Sequence, residues 1–254
     1  MKRVLVIGWA AILLAGCVTE SGRPKPVLNL VAAARDNVTM GMIYLQRHQR
    51  TLAQHSFERA LKLNPDSVKA HNAMALLDVE LGEVARARQY YRKALHLRPN
   101  DPETLNAYGV LLCRMGKMHR AIRDLVHAAQ ATSYITPEVA YTNAGVCALR
   151  LRQPKTAILY FSRAVALNDN YAPALWQLAN LDMQHRYFHR ARSLLTRLSD
   201  LPPQKPAAPV LWLLIRSEWA VKDPVAAERY GAILLEDYPG SPEALAFLHH
   251  HSNP

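Results

Sequence analysis

Glycine and phenylalanine are scarce, ten and four among 254 residues, although half the chain is apolar. Alanine and leucine take their place, which favours helix over sheet. No Gly-rich phosphate loop, G-x-S-x-G, H-E-x-x-H or C-x-x-C occurs, and the acidic residues read as scattered over helix surfaces, so no enzyme is expected. No dense Lys/Arg run with interleaved aromatics appears, which argues against a nucleic-acid partner. Acidic residues are outnumbered, 20 against 31 Lys and Arg, for a net charge of +11. That balance suits anionic lipid or an acidic protein. His185 and His189 are four apart, but they flank an expected helix–helix turn and have no third ligand nearby. Neither a metal site nor a cofactor is expected. The terminal His249-His250-His251 reads as a frayed tail.

The N-terminus speaks for a compartment. Lys2-Arg3 is a short positive region, and Val4 to Leu14 is an apolar stretch of signal-peptide length, too short to span a bilayer as a helix. It ends in Leu14-Ala15-Gly16-Cys17, which resembles a bacterial lipobox. That resemblance implies cleavage before Cys17 and acyl chains on it, and two or three such chains anchor durably. Val18 is not the aspartate that resembles an inner-membrane retention signal. The expected place is therefore the outer membrane, facing the periplasm. Loss of residues 1–16 removes Lys2 and Arg3 and lowers the charge from +11 to +9. Residues 17–30 are polar with two prolines and read as a flexible tether.

Beyond the tether one pattern recurs. Gly41, Ala53, Phe57, Ala60 and Pro65 form a set, and 34 residues later stand Ala75, Ala87, Tyr91, Ala94 and Pro99. Gly109, Ala121, Leu125 and Ala128 follow at the same spacing. After a two-residue insertion near Thr136 come Gly145, Ala157, Phe161 and Ala164, then Ala179, Ala191, Leu195 and Pro203. A weaker sixth set holds Ala226, Tyr230 and Ile233. This period, with small residues at the eighth and twentieth positions, resembles the tetratricopeptide repeat. The expected fold is all-α, a right-handed superhelical solenoid of about six antiparallel helix pairs. The small residues stand where the two helices cross closely, and the aromatic or leucine at the twenty-fourth position fills the gap to the next pair. Proline ends the second helix. The solenoid is expected over 31–250, with repeats about 34–67, 68–101, 102–137, 138–171, 172–206 and 207–240. A polar-faced capping helix is expected at 241–250.

In such solenoids positions 2, 5, 9, 12 and 13 of each first (A) helix point into a concave groove. They include Asn72 and Leu76 in the second repeat and Asn106, Val110, Cys113 and Arg114 in the third. The fourth contributes Thr142, Val146 and Arg150, and the fifth Trp176, Asn180 and Met183. Asn143, one place along, continues the amides. An asparagine both donates and accepts, so a row of them suits an extended peptide backbone, while apolar neighbours take its side chains. The alternative is that the asparagines bond within the solenoid and space its helices. Arg114 and Arg150 either meet a partner's carboxylate or are solvated.

Cys113 and Cys147 lie on successive A helices, which pack side by side. In an oxidising periplasm the pair reads as a disulfide, closing a loop worth roughly 3–4 kcal/mol in the chain-entropy model; the alternative is two reduced buried thiols.

The segments Ala70-His71-Asn72-Ala73-Met74-Ala75, Asn106-Ala107-Tyr108-Gly109 and Asn143-Ala144-Gly145-Val146-Cys147 resemble the type IV pilus biogenesis lipoproteins, the pilotins of the pilus secretin. The likeness runs from Cys17 to about Leu198. In that family a lipobox precedes six repeats, and a cysteine closes helix A of the third and fourth. The resemblance implies a lipid-anchored monomer that holds secretin subunits, or other pilus-assembly proteins, and promotes their ring assembly at the outer membrane, with twitching motility depending on it. A lipid-anchored adaptor for peptidoglycan enzymes or envelope proteases is the alternative.

Overall fold

The computed structural model describes residues 29–202 and 205–252, so Cys17, the expected leader and most of the expected tether lie outside the described residues. Thirteen helices follow one another, with no strand among the described residues. They pair as α1 (Leu30–Gln46) with α2 (Arg50–Leu63), α3 (Val68–Glu80) with α4 (Val84–Leu97), and α5 (Pro102–Arg114) with α6 (Met118–Gln130). Next come α7 (Pro137–Arg150) with α8 (Pro154–Leu167), α9 (Ala172–Gln184) with α10 (Phe188–Ser199), and α11 (Ala208–Ala220) with α12 (Pro224–Asp237). A last helix, α13 (Pro242–Ser252), packs on α11 and α12. The A helices α1, α3, α5, α7, α9 and α11 each touch the next, which makes the chain an all-α tetratricopeptide superhelix.

Local chemistry places the ends. Asn29, Ser67, Asp101 and Asp223 each accept the N–H three residues on, satisfying a donor that the first turn leaves unpaired. Proline opens α5, α7, α8 and α12, where its missing N–H costs nothing. Every A helix from α1 to α11 ends the same way. A residue in the left-handed region turns the chain, and the next N–H reaches back to a carbonyl five residues earlier, as in Glu83 to Asp78 and Tyr187 to Asp182. Only Gly82 and Gly116 meet that conformation without a Cβ; His48, Arg152, Arg186 and Lys222 adopt it too.

Packing refines one sequence expectation. The side chain at position 24 lies first against the glycine of its own pair. A Cβ on Gly145 would stand 2.5 Å from the Phe161 ring, and one on Gly109 would stand 2.7 Å from Leu125 Cγ. Close helix crossing is thus the glycine's purpose, and the fully buried Phe57, Leu125 and Phe161 fill what it vacates. Burying each stabilises by about 1.5–3 kcal/mol. The link to the next pair is also present, since the Tyr91 and Tyr108 rings meet at 5.6 Å.

Four expectations fail. In the sixth pair the buried residues are Ala227, Gly231 and Leu234, one place beyond the expected Ala226, Tyr230 and Ile233. The terminal histidines are not a frayed tail: they continue α13, and His250 stacks on Trp219 at 3.9 Å. The acidic residues are not all on helix surfaces: Asp78 and Asp182 are fully buried at the ends of α3 and α9, bound by Arg86 and Arg190, and Glu218 is buried against Arg192. Eight residues separate Asp78 from Arg86 across a turn, a spacing that no single helix face reveals. Nor is the last helix polar-faced. α13 buries Ala244 and Phe247 but leaves Leu245 and Leu248 exposed at 60% and 46%.

Candidate functional site

Side-by-side A helices lay one concave surface over the first four pairs. Three adjoining cavities run along it, of about 260, 170 and 200 Å3. The first holds Asn72 and Leu76, with Val38 and Met42 from α1. Leu76, Val110 and Arg114 line the second. In the third, Val110 and Arg114 meet Asn143, Val146 and Arg150. The structure therefore brings eight of the groove residues read from sequence, Cys113 among them, onto one continuous surface.

Asn106 enters through its neighbour: Asn143 Nδ2 donates to Asn106 Oδ1 at 2.9 Å, tying α7 to α5. Trp176 is placed differently, half-buried against the core between the fourth and sixth pairs. Two other groove positions turn back on their own helices. Thr142 Oγ1 donates to the Glu138 carbonyl and Asn180 Nδ2 to the Trp176 carbonyl, both at 2.8 Å.

The amides are partly engaged and partly spare. Asn72 Nδ2 donates to Thr104 Oγ1 at 2.7 Å. Thr104 has a single hydroxyl proton, and the Asp101 carboxylate at 2.7 Å outcompetes the Asn72 carbonyl oxygen at 3.0 Å for it. Asn72 Oδ1 is then left as an acceptor on the groove wall. By the same count Asn106 keeps its Nδ2 donors and Asn143 its Oδ1. The asparagines therefore space the helices and also keep one donor site and two acceptors unengaged.

Under the groove, Cys113 and Cys147 are joined as a disulfide between α5 and α7, their Cα atoms 5.8 Å apart. Cys113 itself borders the third cavity. Arg114 and Arg150 are exposed at its rim and make no ion pair among the described residues, so both guanidinium groups face solvent unneutralised. Tyr91 reaches the floor of the first two cavities from α4. Burial pushes its phenol up to about 12, with Arg114 pulling the other way, so the hydroxyl stays protonated at neutral pH.

Sequence reading missed part of this lining. Val38 and Met42 occupy positions 5 and 9 of the first repeat, and Lys69 and Glu103 occupy position 2 of the second and third. The repeat register identifies all four. Tyr91 carries no such signal, because position 24 is ordinarily core.

Residues 38–102 and 90–123 match Tetratricopeptide repeat families. Over 248 residues the chain is 31% identical to the type IV pilus assembly protein PilF of Pseudomonas aeruginosa, covering 96% of this chain and 97% of that protein. The solved structure of Pseudomonas aeruginosa PilF superposes with a TM-score of 0.76 at 29% identity, covering 87% of this chain and 99% of that one. PilW, described as a widely conserved type IV pilus biogenesis factor, superposes with a TM-score of 0.71 at 26% identity, covering 85% and 98%. Homology over nearly the whole length, on a solenoid with an open groove, places the chain in pilus assembly: it belongs to the tetratricopeptide-repeat proteins of type IV pilus biogenesis, the family of PilF.

Proposed function

We propose that this protein is an outer-membrane lipoprotein, anchored through Cys17 and facing the periplasm, that binds secretin subunits and promotes their assembly into the ring. The observation that carries the binding step is the groove over the first four pairs, apolar along its floor and lined with spare amide donors and acceptors. Such a surface holds an extended segment by its backbone and takes alternate side chains in the cavities beside Leu76 and Val110. Arg114 and Arg150 at the rim favour a segment with a carboxylate nearby. The Leu14-Ala15-Gly16-Cys17 run supports the anchor, and PilF and PilW lend the pilus context. In this reading the Cys113–Cys147 bond is formed in the oxidising periplasm and holds the third and fourth pairs in register beneath the groove.

Function here is scaffolding. The groove presents no set of His, Cys, Asp or Glu that would hold a metal ion among the described residues. Two experiments test the proposal. Purification of the acylated protein from membranes should bring down secretin subunits; recovery of peptidoglycan enzymes or envelope proteases without secretin favours the adaptor role. With Cys17→Ala, secretin rings should fail to appear in the outer membrane. Normal rings in that variant rule out the lipid-carrier step.

A further inference from the structure

Because successive A helices lie side by side, the turns from A to B helix fall along one edge of the solenoid, and the turns from B to the next A along the other. Over the third to sixth pairs the A–B edge is rich in unpaired cations. Lys117, Arg152, Lys155, Arg186 and Lys222 project from the A–B turns of the third to sixth pairs, all exposed and without an ion pair among the described residues. Residues 104–123, 139–168 and 183–199 contain no acidic residue at all. The far edge is mixed: the exposed Asp66, Glu103, Asp169, Asp200 and Glu236 share it with the exposed Lys62, Lys69 and Arg98.

We propose that the A–B edge is a contact surface for an anionic bilayer, its turn tips combining unpaired cations with exposed apolar side chains. Tyr187 and Val225 lie beside these cations, exposed at 56% and 79%. Such residues gain nothing from water beside a row of cations. They fit the headgroup boundary, where amphipathic rings and aliphatic tips settle while Lys and Arg meet lipid phosphates. At the fifth pair the combination is built: the guanidinium of Arg190, held by Asp182, lies 5.2 Å over the Tyr187 ring, and Arg186 lies 5.9 Å from the centre of Phe188. An acidic peptide would match the charge equally well. It would leave both apolar tips wet, and the edge is a line of protruding turns rather than a trough.

Reach is no obstacle. Residues 18–29 span up to about 40 Å when extended, whereas the 17-residue α1 measures about 25 Å, so a chain leaving α1 on the far edge still lets the basic edge meet the lipid. Where the proposed anchor at Cys17 holds, it keeps the edge close to the bilayer, and bilayer charge then sets the orientation of the solenoid.

The test uses the full membrane-purified chain in vesicles of phosphatidylcholine alone or with added phosphatidylglycerol, probed with an amine-reactive label. Labelling of Lys117, Lys155 and Lys222 should slow by about threefold or more on the anionic vesicles and recover at high salt. Lys62 and Lys69, on the opposite edge, should label equally on both. Equal labelling of the first three lysines on the two vesicle types overturns the proposal. So does their protection by polyglutamate in solution with none on anionic vesicles, which makes an acidic protein the occupant. A chain whose mass shows no acyl group at Cys17 refutes the anchor alone; lysine protection on anionic vesicles would still stand. Tyr187→Ser should weaken the protection and leave folding unchanged by circular dichroism. Unaltered protection in that variant and in Val225→Ser overturns the claim that the apolar tips take part.

Discussion

Asp78 lies fully buried at the end of α3, and Arg86 of α4 donates from Nε to both of its carboxylate oxygens at 2.9 Å. Asp182 and Arg190 repeat the arrangement in the fifth pair. In each case the pair bridges the turn that joins the A helix to the B helix. A buried carboxylate would otherwise be costly to keep charged, and the guanidinium fork satisfies it across the turn.

Removing Arg86 strands that charge. Arg86→Ala should cost about 3 kcal/mol or slightly less, since the guanidinium is itself partly exposed, and the melting temperature should fall accordingly. Asp78→Asn should cost less, because a neutral amide is cheaper to bury than an unpaired carboxylate. Equal melting temperatures for Arg86→Ala and the parent would show that solvent already screens the pair.

Gly145 and Phe161 share one space. Gly145→Ala should destabilise by about 1–3 kcal/mol through overpacking against the ring. The fifth pair carries Ala179 with Leu195 at the same two positions. Combining Gly145→Ala with Phe161→Leu should therefore recover part of the loss, giving a double-mutant cycle with a clear coupling energy. Strict additivity in thermal melts would contradict this geometry.

The Cys113–Cys147 bond closes 34 residues of sequence. Reduction, or replacement of both cysteines by serine, should lower stability by roughly 3–4 kcal/mol through the entropy restored to the unfolded chain. Urea unfolding with and without reductant measures it. Reductant should shift the midpoint of the parent and leave the double-serine variant where it is.

His71 provides the pH dependence. Its Nε2 donates to the Pro65 carbonyl at 2.8 Å, so Nδ1 is unprotonated, and Nδ1 is buried without a partner. Burial lowers its pKa below the ordinary 6.5, outweighing the Pro65 hydrogen bond. The folded state then prefers neutral imidazole, and the unfolded chain binds the proton first. This contribution is fully present above about pH 7, falls as pH drops through 6.5, and levels off below the depressed folded value. His71→Leu should flatten the stability profile across that window. An unchanged slope would assign the dependence to other groups.

The sequence by itself determined the architecture. A 34-residue recurrence of small residues at two positions and a bulky one at a third allows little but stacked helix pairs, because each pair exposes an apolar face that only its neighbour covers. Register followed from it, and with register the line of groove positions from Asn72 to Arg150. The tertiary structure decided what depends on contacts between units. Asn72 meets Thr104 and Asn143 meets Asn106 across adjacent A helices, so of the two readings the sequence left open each holds in part: the amides are half spent and half available. Asp78 and Asp182 read as surface acids because their partners lie beyond a left-handed turn, outside any helical periodicity. The outer face of α13 read as polar, yet it presents Leu245 and Leu248, since which side of a short helix faces the core is set by where α11 and α12 receive it. The row of unpaired cations along the A–B edge likewise emerges only after stacking, when turns distant in sequence become neighbours in space.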